Sequence, residues 1–190
     1  MRKENEKFLI DIKDAFADVI ESFSMSDPII RFEDEMGVSV ELKNQTSGIL
    51  IGKQEFEGFG VFICKLVDGQ IIIPFGAITE QSDVYIVPIE TIAELRGGRY
   101  KGPKIDAFSI HKDQPLILRE YARMVKNYAH DFLSGDFSEW EYVLSEYKKR
   151  MAALHEEAHT PNKPRLSVPC LVIGVVIFVL FIMCNRSCHM

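Results

Sequence analysis

The sequence predicts an α+β domain followed by one C-terminal transmembrane helix. Three patterns carry that expectation. Apolar residues recur at helical spacing over 4–23 and again from 115 onward, short apolar runs alternate with turn residues over 29–88, and an uncharged apolar run fills 166–184.

Over 4–23 the apolar positions are Phe8, Ile12, Phe16, Val19, Ile20 and Phe23, with Asp and Lys between them. That spacing lays one apolar stripe along a helix, and Ser26-Asp27-Pro28 is its expected stop. Residues 29–32 and 38–43 flank a polar turn ending in Gly37 and predict a hairpin, and 49–51 predicts a further short strand. Residues 60–67 and 70–75 flank Asp68-Gly69, a pair that favours the tight two-residue turn of a hairpin. Residues 83–88 supply another strand. Successive hairpins imply a mainly antiparallel sheet of five or six strands.

A short helix over 89–96 is expected to end at Gly97-Gly98, with loop from 97 to 114. From 115 to 133, Ile117, Tyr121, Met124, Val125, Tyr128 and Phe132 mark a helix that ends before Gly135. Ser138-Glu139-Trp140-Glu141 has the form of a capping box. It opens a helix whose apolar face is Trp140, Val143, Leu144, Tyr147, Met151 and Leu154. The expected fold is therefore a sheet with an N-terminal helix and two or three C-terminal helices, packed on one face of the sheet. The domain spans 1–158, a linker 159–165, the membrane helix 166–184 and a short far-side tail 185–190.

The apolar run is 19 residues without a charge. As a helix it spans about 28 Å at about 1.5 Å per residue, close to the hydrocarbon thickness of a bilayer. Pro169 falls in its first turn, where a missing N–H costs little. Cations cluster on its N-terminal side (Lys148, Lys149, Arg150, Lys163, Arg165), against Arg186 alone beyond it. The positive-inside rule then places the domain in the cytoplasm, a single-pass, tail-anchored arrangement whose lipid contact is 166–184. The charged N-terminus lacks the apolar core of a signal peptide. Cys64 is the only cysteine before 166, which fits a reducing compartment; Cys184 and Cys188 are available for palmitate. The Asn44-Gln45-Thr46 and Asn185-Arg186-Ser187 glycosylation patterns are expected to be chance matches.

Residues 1–165 carry 21 cations against 28 anions, a net charge of −7. An acidic domain has no electrostatic footprint for general nucleic-acid binding. Three constellations nonetheless contain residue types that do chemistry. Glu41-Leu42-Lys43 places an acid and a lysine on one face of a strand, with Asp27 or Asp34 as a second carboxylate. That set resembles the PD-(D/E)xK nucleases over roughly residues 5–88, with Pro-Asp reversed here as Asp27-Pro28. The resemblance implies Mg²⁺ held by two carboxylates while the lysine positions the attacking water, and it requires Asp27 or Asp34 to lie beside Glu41. Arg96, Arg99, Lys101 and Lys104 lie on a glycine-rich loop that suits an anion or lipid headgroup. His155, Glu156 and His159 match H-E-x-x-H, two ligands one helical turn apart with a base between. No acid follows Glu157 and no third histidine follows at 160–165, so the zinc set is incomplete and no metal is expected there.

Isolated His111 and His130, Cys64 and Trp140 are expected to be packing or surface residues. The function expected from this balance is a tail-anchored protein whose cytosolic domain is a non-enzymatic protein-interaction or regulatory module with no cofactor. The alternative is a membrane-tethered Mg²⁺-dependent nuclease-like domain using Glu41 and Lys43.

Overall fold

The computed structural model describes residues 2–34, 37–54, 58–74, 78–79, 81–103, 105 and 110–159, without the side chains of 110–111 and 157–159. Its element order is α1 (Lys3–Ala15), α2 (Ala17–Ser22), β1 (Ile29–Glu33), β2 (Gly37–Lys43), β3 (Ser47–Gln54), β4 (Gly58–Lys65), β5 (Ile86–Pro88), α3 (Ile89–Leu95), α4 (Ile110–Tyr128), α5 (His130–Leu133) and α6 (Trp140–His159). The five strands form one antiparallel meander in the order β1-β2-β3-β4-β5. The α+β class, the N-terminal helix, the antiparallel sheet and the C-terminal helices all follow the sequence pattern. The span 166–184 lies outside the described residues, among which no helix is long and apolar enough to cross a membrane.

Register divides the sheet into two faces, because directly paired residues point the same way. Val40, Ile51 and Val61 share one face with Leu42, Ile49, Ile63 and Val87, and all seven are buried. Helices α1 and α4 pack here. Phe8 of α1 meets Phe59 edge-on with ring centroids 5.5 Å apart. Lys53 lies over the Phe8 ring and donates to Gln114 of α4 at 2.9 Å, and Gln114 donates in turn to Asp11 of α1. The opposite face carries Glu41, Leu50 and Phe62 in one row and Lys43, Gly48 and Cys64 in the next. Ile71 packs over Gly48 there.

The structure moves several expected boundaries. The first helix, expected over 4–23, bends at Phe16 and ends at Ser22 with Phe23 as its cap, just ahead of the expected stop at Ser26-Asp27-Pro28. Ser24 adopts φ 50° while Met25 N–H bonds the Ile20 carbonyl and Ser24 N–H that of Glu21, closing the left-handed cap usually filled by glycine. The short strand at 49–51 is an eight-residue central strand, β3. Asp68 and Gly69 do form the two-residue turn, with φ 52° and 73° and reciprocal Val67–Gln70 backbone bonds. The strand expected at 70–75 is not formed over its described part, 70–74. The edge of β4 is taken instead by β5, and Lys65 N–H bonds the Tyr85 carbonyl. Pro74, lacking an N–H, could not have completed that ladder. Loop was expected through 114, but α4 begins at Ile110 and contains Pro115; the bonds of Gln114 to Lys53 and Asp11 hold the turn that proline weakens.

Helix α3 ends as expected. Gly97 has φ 74°, Gly98 N–H bonds the Ala93 carbonyl and Gly97 N–H that of Glu94, a complete Schellman motif. Gly98 has a second reason to be glycine, since a Cβ there would overlap the Tyr128 ring. At the start of α6, Asp136 rather than a Ser138 box organises the turn, accepting the Ser138 N–H at 2.9 Å. The expected apolar face of α6 is the observed one: Trp140, Val143, Leu144, Tyr147 and Met151 are buried and Leu154 packs beside them. Trp140 meets Phe132 and Phe137 edge-on.

Asn44 joins the β2–β3 turn to the helices. Its amide donates to the carbonyls of Phe23 at 3.2 Å and Leu133 at 2.8 Å, while its oxygen accepts from the backbone N–H groups of Thr46 and Ser47. Asn44→Ala leaves those partly buried carbonyls and amides without partners. It is expected to cost about 2–3 kcal/mol, read as a lower urea midpoint at unchanged slope.

Candidate functional site

Residue Glu41 stands on β2 with its carboxylate between two cations. Arg31 Nη1 lies 3.0 Å from one oxygen and Lys43 Nζ 2.9 Å from the other. Arg31 also donates from Nη2 to the Ile71 carbonyl at 3.0 Å, which pins the chain leaving the Asp68-Gly69 turn across this face. The sheet explains why the three meet. Glu41 and Lys43 are two residues apart on one strand and so share a face. Ile29 of β1 pairs with Glu41, and Arg31, two residues on, lies on that same side by strand alternation; the bulge between Ile30 and Phe32 shifts the pairing only from Phe32 on.

The structure therefore brings Glu41 and Lys43 together, but not with a second acid. Asp27 pairs with Lys13 of α1 at 2.9 Å, in the open. Asp34 accepts the Gly37 N–H at 2.9 Å in the β1–β2 turn. Gly37 is four residues along β2 from Glu41, about 13 Å at about 3.3 Å per residue. The two-carboxylate arrangement required by the nuclease resemblance is not assembled. Among the described residues no group of three His, Cys, Asp or Glu side chains is placed to hold a metal.

The glycine-rich loop divides in a similar way. Arg96 is not presented to an outside anion. Its guanidinium forks onto both oxygens of Asp131, also bonds Glu139 at 2.7 Å and the Tyr128 carbonyl at 2.6 Å, and lies 4.9 Å from the Phe132 ring centroid. Burial pulls the Asp131 carboxyl up, but the Arg96 bonds outweigh it and leave it below its ordinary range. Arg99 and Lys101 are exposed, and Lys101 N–H bonds Glu120 at 2.7 Å. Lys104 lies outside the described residues. The H-E-x-x-H match falls on the last turns of α6, where His155 and Glu156 are exposed; the side chain of His159 lies outside the described residues. Cys64 is fully buried and its thiol is pushed up, chiefly by that burial.

One acid with unusual surroundings escaped sequence reasoning. Glu90, in the first turn of α3, accepts the hydroxyl of fully buried Tyr121 at 2.5 Å. Burial raises its carboxyl from an ordinary 4.5 to about 7; the Tyr121 bond opposes that rise and Glu94 adds to it. The Tyr147 hydroxyl is buried without a hydrogen-bond partner among the described residues. Its phenol is pushed up, first by burial and then by Glu90. Tyr100 closes the group from the loop, its ring 5.3 Å from that of Tyr121. The available signal was the placement of Tyr121 and Tyr147 on core faces of their helices, where each hydroxyl needs a partner.

Compared with family models, with curated proteins and with solved structures, the chain matches none of them.

Proposed function

We propose that this chain is a membrane-tethered binding module. The α+β domain is held at the cytoplasmic face of a bilayer by the span 166–184, and it engages a protein partner without catalysing a reaction. The observation that carries the tether is the run of 19 uncharged residues with cations gathered on its N-terminal side, a length and asymmetry that match a single span.

A binding role for the domain is supported by how its polar side chains are spent. Glu41 is neutralised by Arg31 and Lys43, Arg96 is consumed by Asp131 and Glu139, and Lys53 is tied to Gln114. Each of these groups bonds neighbours in the fold. A catalytic set instead needs a nucleophile, base or metal ligand aimed at a shared point.

The test is chemical crosslinking of the full chain in intact membranes, followed by solubilisation and purification. The expected result is one reproducible protein crosslinked through the described domain. Repeated recovery of the chain alone would contradict the proposal.

A further inference from the structure

We propose that the free edge of β1 binds an extended peptide segment bearing an acidic side chain, which adds to the sheet as a further strand and sets its carboxylate against Arg31 and Lys43. This rests on the binding-module reading and names the chemistry of the partner.

Strand β1 is a sheet edge, paired among the described residues only with β2. The other edge, β5, has three residues and runs directly into α3. Edge strands left open invite pairing by another chain, and this is a recurrent mode of peptide recognition. The main chain of β1 is accessible. Arg31 is exposed as a residue although its side chain is only 27% exposed, so much of what water reaches is backbone. Two apolar side chains stand open beside it. Ile29, 54% exposed, pairs across from Glu41, and Ile72, 41% exposed, follows the carbonyl that Arg31 holds. One end of the edge is closed, because Glu33 accepts from Arg2 N–H and from the Asn5 amide at the start of α1.

Charge chooses the occupant. Two cations share one carboxylate, leaving a local surplus of one positive charge on a domain with 28 anions and 21 cations before residue 166. Arg31 spends two N–H groups on Glu41 and Ile71, and Lys43 spends one on Glu41, so both retain donors. A carboxylate arriving along the edge is met by unused donors on half-buried cations, where pairing is stronger than in open solvent. A second copy of the chain fits poorly. Antiparallel β1–β1 pairing centred on the bulge sets Arg31 beside Arg31, and like charges across a sheet are unfavourable.

The test uses the full chain in phosphatidylcholine nanodiscs and a labelled peptide alternating valine with glutamate. Two control peptides replace glutamate by lysine or N-methylate alternate amides. Anisotropy and hydrogen exchange are the readouts. The expected outcome is slowed exchange across β1 and binding at least about ten-fold tighter for the glutamate peptide than for the lysine peptide. N-methylation is expected to abolish binding. Arg31→Gln weakens it, as does Lys43→Gln, which leaves the Arg31–Ile71 bond in place. No binding, equal binding of both charge forms, full binding of the N-methylated peptide, or slowed exchange confined to other elements would each overturn the proposal. So would a dimer that protects β1 without peptide. If the proposal falls while a partner still crosslinks elsewhere on the domain, the binding-module reading stands alone.

Discussion

Arg96→Ala is expected to lower the stability of the domain by about 2–4 kcal/mol, and Arg99→Ala, three residues on in the same loop, by less than about 0.5 kcal/mol. Removing the guanidinium takes away both Arg96–Asp131 bonds, removes the donor to the Tyr128 carbonyl and frees Glu139. It also removes the cation stacked on Phe132. Both partners of the main pair keep about a quarter of their side-chain surface in water, which holds the cost below that of a fully buried pair. Arg96→Lys should recover only part of the loss, since an ammonium cannot fork onto both Asp131 oxygens. Urea unfolding of the three variants beside the parent chain measures this, and an Arg96→Ala midpoint equal to the parent's would refute it.

Glu90→Gln should change the pH dependence of stability. The folded state raises the Glu90 carboxyl from 4.5 to about 7, chiefly by burial, so folding favours the protonated form. Below about pH 4.5 both states are protonated and Glu90 contributes no penalty. Between 4.5 and 7 the unfolded chain ionises while the folded one does not, and stability falls as pH rises. Above about pH 7 the full penalty applies, about 3 kcal/mol, since each tenfold change in proton affinity is worth about 1.4 kcal/mol. A glutamine can still accept the Tyr121 hydroxyl but does not ionise. The variant should therefore match the parent near pH 4.5 and exceed it by about 3 kcal/mol at pH 8, an upward Tm shift of roughly 6–12 °C for a domain this size. Parallel profiles from pH 4.5 to 8 would show that Glu90 ionises freely in the folded chain.

Local signals were legible in the sequence wherever they were also decisive. The β1–β2 hairpin, the Asp68-Gly69 turn, the Gly97-Gly98 stop and the apolar face of α6 were each encoded within a few residues. Long-range competition was not legible. Nothing near 70–75 announces that Ile86–Pro88, arriving later in the chain, takes the β4 edge. Strand β3 read as three residues because Gly48 and Gly52 interrupt its apolar run. At 48 the missing side chain makes room for Ile71, a contact known only after folding.

The candidate site was half legible for the same reason. Glu41 and Lys43 were visible as a same-face pair, whereas Arg31 joins them through the β1–β2 register, which sets Ile29 opposite Glu41 and is fixed by the pairing of two strands rather than by either alone. Arg96 read as an open cation because its partners, Asp131 and Glu139, lie on elements 35 and 43 residues away. Glu90 carries no local signal, since an acid in the first turn of a helix is ordinary. Glu90 is half-buried, and the tyrosines beside it, Tyr121 and Tyr147, come from α4 and α6, more than thirty residues along the chain.

The most direct test of the membrane tether is protease protection of the full chain in sealed membrane vesicles with the cytoplasmic face outward, after an alkaline wash. The prediction is a wash-resistant chain whose domain is digested, leaving a small membrane-embedded fragment containing 166–184. Release of the intact chain by the wash, or a domain protected until detergent is added, would contradict it.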